Sequence, residues 1–172
     1  MTSTPPVGPD SHDVPGTPQE PGPPQAPGPP QAPGTPQART TILLYSDDAT
    51  TRASVRAAVG RRPAAGLPLI EWIECATAPA VLSRLDAGGV DLAIFDGETA
   101  PVGGMGLCRQ VKDEVYRCPP VLLLTGRVQD NWLATWSRAD AAVAHPLDPM
   151  TLARTVAELV RERLAGLAAS SA

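Results

Sequence analysis

From Thr40 onward the chain alternates short apolar runs with segments of helical periodicity, five times over. No other feature of the sequence restricts its fold as strongly. The runs are TILLY (41–45), LIEWI (69–73), DLAIF (91–95), VLLLT (121–125) and Ala141–Ala144. Helices are predicted over 48–60, where Val55 and Val59 stand four apart, and over 78–87, where Val81, Leu82 and Leu85 share a face before Gly88-Gly89. Two more fall at 105–115 and 128–138. The last follows Asp148-Pro149, an N-cap with Pro at the first helical position, and carries Leu152, Val156, Leu159, Val160 and Leu164. Strands alternating with helices imply an α/β domain with a doubly wound parallel sheet covered on both faces. The third and fourth runs are almost wholly apolar, as central strands of such a sheet are.

Residues 1–38 follow another logic. They hold 13 of the 21 Pro and 5 of the 15 Gly, with no Lys, Arg or aromatic residue. A hexapeptide recurs there: PQEPGP, PQAPGP, PQAPGT, then PQA. Such a segment cannot bury enough apolar surface to offset its ordering entropy, so a disordered spacer of interrupted polyproline II is expected. A ligand for an aromatic-lined groove is the sharper alternative, with no flanking base to orient it. The expected division is a tail over 1–38, one domain over 39–166, and a short C-terminal tail over 167–172.

Charge and cysteine content exclude several classes. Net charge is −4, and the 18 acidic residues are spread among 14 basic ones, of which only Lys112 is a lysine. No basic patch suited to nucleic acid stands out. No apolar run approaches the roughly 20 residues of a membrane span. The N-terminus lacks the basic and apolar regions of a signal peptide. Cys75, Cys108 and Cys118 are odd in number and widely spaced, so they are expected to be inert thiols in a reducing, cytoplasmic setting.

In a parallel sheet the working site lies beyond the carboxyl ends of the strands. The first run ends in Ser46-Asp47-Asp48, the third in Asp96, the fourth in Thr125-Gly126 and the fifth in His145-Pro146. Each has a plain structural explanation: a helix cap at Asp48, a turn at Asp96-Gly97, a cap at Thr125, a tight turn at His145-Pro146. Together they put carboxylates, a hydroxyl and an imidazole at one edge, chemistry suited to a divalent cation and a phosphoryl group.

With these stretches in view, the chain resembles the receiver domain of two-component response regulators over 40–164. The matching segments are ILLYSDD (42–48), DLAIFDGETAPVGGMGL (91–107), PPVLLLTG (119–126) and HPLDP (145–149). The resemblance implies a flavodoxin-like (βα)5 sheet of strand order 2-1-3-4-5. It implies that Asp96 is the phospho-acceptor, that Thr125 and His145 contact the phosphoryl group, and that Asp47, Asp96 and Glu98 serve a Mg²⁺ site. The departures imply a weak or absent metal. Ser46 stands where the family has a second acidic residue, His145 where it has Lys, and Ala142 where it has the switch aromatic. Histidine is mostly neutral at pH 7 and reaches less far than lysine. The implied function is an atypical, stand-alone, non-enzymatic signalling module. It would act through protein contacts with impaired or absent phosphorylation of Asp96. A receiver still phosphorylated there by a sensor kinase or acetyl phosphate is the alternative.

Partners are therefore expected to be a sensor kinase, a downstream protein or a second copy of the chain, with neither nucleic acid nor membrane. Trp132 and Trp136 stand four apart on one predicted helix. With Ala134 facing the sheet they form a candidate partner surface; burial in the core is the plainer reading. Two remoter readings weigh less. A haloacid-dehalogenase-type phosphatase would use Asp96-Gly97-Glu98-Thr99, but it needs a lysine that is missing. A flavin or nucleotide binder would need a glycine in 46–49, which has none. The GGMG run (103–106) lacks a following lysine and is expected to be a flexible loop.

Overall fold

The structure, a computed structural model, describes residues 39–170 together with Met1 and Thr2. The proline-rich repeats and His12 lie outside the described residues. The five strands are β1 (Arg39–Tyr45), β2 (Leu69–Cys75), β3 (Leu92–Asp96), β4 (Val121–Thr125) and β5 (Ala141–Ala144). The helices are α1 (Ala49–Val59), α2 (Ala78–Asp86), α3 (Gly104–Glu114), α4 (Asn131–Ser137) and α5 (Pro149–Ser170). All strand pairs are parallel, in the order β2-β1-β3-β4-β5. The fold class and strand order expected from the sequence are those observed.

Alternation along each strand divides the core in two. Ile42, Leu44, Leu92, Ile94, Leu122 and Leu124 face α1 and α5, where Val55, Val59, Leu152, Val156 and Val160 meet them. Leu43, Tyr45, Ala93, Phe95 and Leu123 face the other way, onto Val81 and Leu85 of α2, Leu107 and Val111 of α3, and Ala134 of α4. Because both faces are covered, β3 and β4 are buried at every residue, which is why they read as unbroken apolar runs.

Local chemistry sets the boundaries. Asp48 caps α1, accepting from the Thr50 and Thr51 amides at 2.8 and 3.3 Å. Asp148 caps α5 from the Thr151 amide at 2.7 Å. Asp140 accepts from the Val121 amide at 2.6 Å and from Lys112 Nζ at 2.5 Å, joining the starts of β4 and β5 to α3.

The structure differs from the sequence expectation in four places. The helix expected over 128–138 begins as a 3-10 turn, Val128–Asp130, and only then becomes α4. No side chain caps α4, so its first turn tightens instead. The GGMG run is not a loop: Gly103 is the N-cap of α3 and Gly104 its first residue. A Cβ on Gly104 would overlap the Asp96 carbonyl, so glycine here lets α3 start directly against the end of β3. The third strand reaches Asp96 itself rather than stopping at Phe95. Finally, α5 continues to Ser170, through the segment read as a C-terminal tail.

Ile94 is fully buried in a central strand. Ile94→Ala is expected to cost about 3 kcal/mol of stability with an unchanged denaturant slope, measured by urea unfolding.

Candidate functional site

The topology puts β1 between β2 and β3, so the chain reverses its direction of growth there and leaves a crevice beyond the strand ends. Tyr45 pairs with Phe95 in register, which sets Ser46 beside Asp96 at the rim. Asp96 pairs with Leu124, so Thr125 is the next residue outward on β4. Thr125 in turn pairs with Ala144, and the His145 amide donates to the Thr125 carbonyl at 2.8 Å. The His145-Pro146 and Ala100-Pro101 bonds are both cis.

Asp96 is only 4% exposed, yet its carboxylate is fully engaged. Ser46 Oγ donates to Oδ2 at 2.8 Å, and the Glu98 amide donates to Oδ1 at 3.0 Å. Two donors on a nearly buried carboxylate offset its desolvation and fix its rotamer. Thr99 Oγ1 donates to the Asp96 carbonyl at 2.9 Å and holds the turn that follows. Tyr45 Oη donates to the Val102 carbonyl at 2.7 Å and ties that loop to β1. Burial pushes the Tyr45 phenol up, and the nearby Asp47 and Asp96 carboxylates push it further.

The remaining predicted groups are placed as follows. Asp47 is exposed, and its Oδ2 accepts a long 3.4 Å bond from the Ala100 amide. Asp48 is turned to the α1 cap, where its carboxylate is held below the ordinary range by the hydrogen bonds from Thr50 and Thr51. The Glu98 side chain reaches the residue after β4. Its carboxylate lies on Gly126, where a methyl on the Gly126 Cα would stand 2.5 Å from Glu98 Oε1. Thr125 Oγ1 is fully buried without a hydrogen-bond partner among the described residues. His145, one residue beyond the Ala144 that pairs with Thr125, is half-buried.

A divalent cation is the natural complement of such an edge, and the donor set can be tested for it. Among the described residues no three Asp, Glu, His or Cys side chains stand together as metal ligands. Asp47, Asp96 and Glu98 do not converge. Ser46 presents a hydroxyl hydrogen to Asp96 where a carboxylate would help hold a metal, and Asp48 is committed to a helix cap. The residues in this arrangement do not fit a resident Mg²⁺, and no chemical step is derived through one.

One cation approaches the site backbone. Arg52 donates to the Ser46 carbonyl at 2.6 Å and to Glu74 at 3.1 Å, and Arg56 reaches the same carboxylate at 2.6 Å. Neither the Arg52 contact nor the closeness of Glu98 to Gly126 was visible in the sequence. The first joins Arg52 to residues 6 and 22 away and the second joins two loops, with no periodic signal for either. Lys112 is spent on Asp140, on the far side of α3.

Trp132 and Trp136 are 64% and 50% exposed, and Ala134 between them is buried against the sheet. Arg109 of α3 lies 5.4 Å from the Trp136 ring and donates to its carbonyl at 2.9 Å. The three cysteines are unbridged. Burial raises all three thiols, with Cys108 pushed up to about 11.

Similarity to known proteins agrees with this geometry. The chain is 55% identical over 120 residues to an uncharacterized response regulatory protein of Mycobacterium tuberculosis, matched in strains CDC 1551 and H37Rv. The match covers 70% of this chain and 90% of that protein. Among solved structures, a CheY-like response regulator receiver domain from Methanospirillum hungatei shares the fold at a TM-score of 0.60 and 21% identity, over 75% of this chain and 99% of that one. A two-component transcriptional regulator from Clostridium phytofermentans does so at 0.63 and 17%, over 75% and 98%. No protein-family model matches. The fold and the site edge define a receiver domain. The chain belongs to the response regulators of two-component systems. No helix among the described residues is long and apolar enough to cross a membrane.

Two measurements check these placements. Acrylamide should quench most of the tryptophan emission, and Trp132→Phe and Trp136→Phe should each remove an accessible, red-shifted component; blue emission resistant to quencher would contradict the exposed face. A thiol reagent at pH 8 should leave Cys108 unmodified until the protein unfolds. Because the folded protein holds the Cys108 proton more tightly than the unfolded chain, this thiol leaves stability unchanged below the ordinary value of 9.0 and lowers it as pH climbs from there through about 11.

Proposed function

We propose that this chain is an atypical receiver in which Asp96 is a slow phospho-acceptor and signalling runs chiefly through protein contacts of the folded domain. The observation that carries the proposal is the 2.8 Å hydrogen bond from Ser46 Oγ to Asp96 Oδ2. A hydroxyl there replaces a metal-holding carboxylate. Phosphoryl transfer is driven mainly by positive charge positioned on the phosphoryl oxygens. The position that the family fills with lysine holds His145, whose ring reaches less far than a lysine side chain. Ala142 has no ring to relay a change from Thr125.

The module acts as a binding partner rather than as an enzyme. Its partners are a sensor kinase, a downstream protein or a second copy, with the exposed Trp132–Trp136 face as the candidate contact. Asp96 is nonetheless retained, nearly buried, beside the unpartnered Thr125 hydroxyl. That pairing favours, as the second reading, a receiver that still takes a phosphoryl group at a useful rate.

The test is incubation of the full chain with acetyl phosphate and Mg²⁺, followed by intact mass, with Asp96→Asn as control. The expected result is partial labelling over hours, absent in the control. Rapid and complete labelling with ordinary Mg²⁺ dependence would overturn the proposal. The double variant Ser46→Asp/His145→Lys restores one carboxylate and one full positive charge. It is expected to label at least about tenfold faster than the parent.

A further inference from the structure

At the amino ends of the strands, opposite the edge that carries Asp96, the loops leading into β3 and β4 and the C-terminal half of α5 enclose a cavity of about 260 Å³. Leu85, Val90, Val115 and Pro119 give it apolar walls, and Gly88 and Gly89 line it with no side chain to fill it. Arg117 and Arg163 are the charged residues of its lining, and no acidic residue belongs to it. The same two arginines line an adjoining cavity of about 500 Å³, whose other charged residues are Lys112, Asp140 and Glu162.

Neither arginine has an ion pair among the described residues. Arg163 is half-buried, and its Nε is buried with no hydrogen-bond partner among the described residues. A buried donor on a charged group is costly to leave unmatched. Arg117 has a left-handed backbone, with φ of 55°, which glycine takes with less strain. Its guanidinium lies 5.8 Å from the Tyr116 ring. The charged neighbours do not neutralise the pair. Lys112 Nζ and Asp140 Oδ2 meet each other at 2.5 Å. Glu162 precedes Arg163 on α5, and successive side chains of a helix do not face each other.

We propose that the smaller cavity binds a small organic carboxylate with a compact apolar body, and that Arg117 and Arg163 hold its carboxylate. A guanidinium offers parallel N–H donors that match the two oxygens of a carboxylate or phosphate. The walls decide between them. A hydrocarbon body buries itself against Leu85, Val90, Val115 and Pro119, whereas an inorganic anion would set charge against them. The volume lies below the roughly 300–1,000 Å³ of pockets for drug-sized ligands, so the body is small. The site stands apart from the reading of Asp96: the five residues of β3 separate the two edges by about 15 Å.

The experiment uses hexanoate as the probe, with 1-hexanol (no charge) and inorganic phosphate (no apolar body) as its two halves. Each is titrated into the ¹⁵N-labelled full chain up to the millimolar range, following the amides of 88–90 and 115–118 and the arginine Nε–H signals. Hexanoate is expected to shift Gly89, Val90, Val115 and the Arg163 Nε–H saturably, and the other two to bind at least about tenfold more weakly. Arg163→Met keeps the apolar stem and removes the guanidinium. Arg117→Gly removes the side chain where the backbone favours glycine, so its urea midpoint should be no lower than the parent's. Each variant should weaken hexanoate at least about tenfold, and Arg163→Lys should recover only part of the loss, because an ammonium lacks the planar fork. If Arg163→Met fails to fold, Arg117→Gly decides. No saturable shift around 88–90 and 115–118 would overturn the site. Hexanoate binding unchanged in Arg117→Gly and Arg163→Met, or 1-hexanol binding equally well, would overturn the part given to the arginines. Phosphate binding as tightly as hexanoate would overturn the ligand class.

Discussion

A parallel sheet delivers the carboxyl ends of all its strands to one edge, and everything functional in this protein hangs on that. Ser46, Asp96, Thr125 and His145 span a hundred residues of sequence. They become neighbours because β1, β3, β4 and β5 run the same way in adjacent register. The cost is that both faces of the sheet must be covered, and the two apolar clusters on α1/α5 and on α2/α3/α4 meet it. Along β3 and β4 each apolar side chain belongs to one cluster or the other until the chain emerges at the rim. There the apolar sequence stops and the polar groups begin.

At the rim, small differences of side-chain chemistry count for more than position. A serine at 46 meets Asp96 as a hydrogen-bond donor, where a carboxylate would meet it through a shared cation. Asp48, two residues further on, has its own employment at the start of α1, because a helix N-terminus with unsatisfied amides takes a nearby short carboxylate. Glycine at 104 brings α3 against the end of β3, and glycine at 126 leaves the space into which the Glu98 carboxylate settles. The site thus has the framework of a receiver with a different distribution of charge.

The outer surface is built on another principle. In α4, Ala134 meets the sheet and its smallness lets the short helix lie close, which turns the two flanking tryptophans outward. Arg109 stacks on one of them and fixes α3 to α4 at that point. Large aromatic area held rigidly at low entropic cost is what protein-binding surfaces are made of. It sits on α4, which follows in sequence the strand β4 that carries Thr125 and packs against α3 and β5.

Much of this was legible in the sequence. Hydrophobic periodicity is a local property, so five strands, five helices and the two-sided burial of β3 and β4 could be read directly. The Asp148-Pro149 start of α5 and the identity of the residues closing each strand were equally plain. What the tertiary structure decided was which way the side chains at the rim turn and what they meet. That the Ser46 hydroxyl meets Asp96 and that the Glu98 carboxylate lies on Gly126 depends on contacts between segments 28 to 50 residues apart. Such contacts leave no period in the chain. The sequence by itself determined the sheet, its edge and the groups delivered there, because burial repeats along every strand; only the folded structure decided how those groups share one small space, because each hydrogen bond there is a single choice among competing partners.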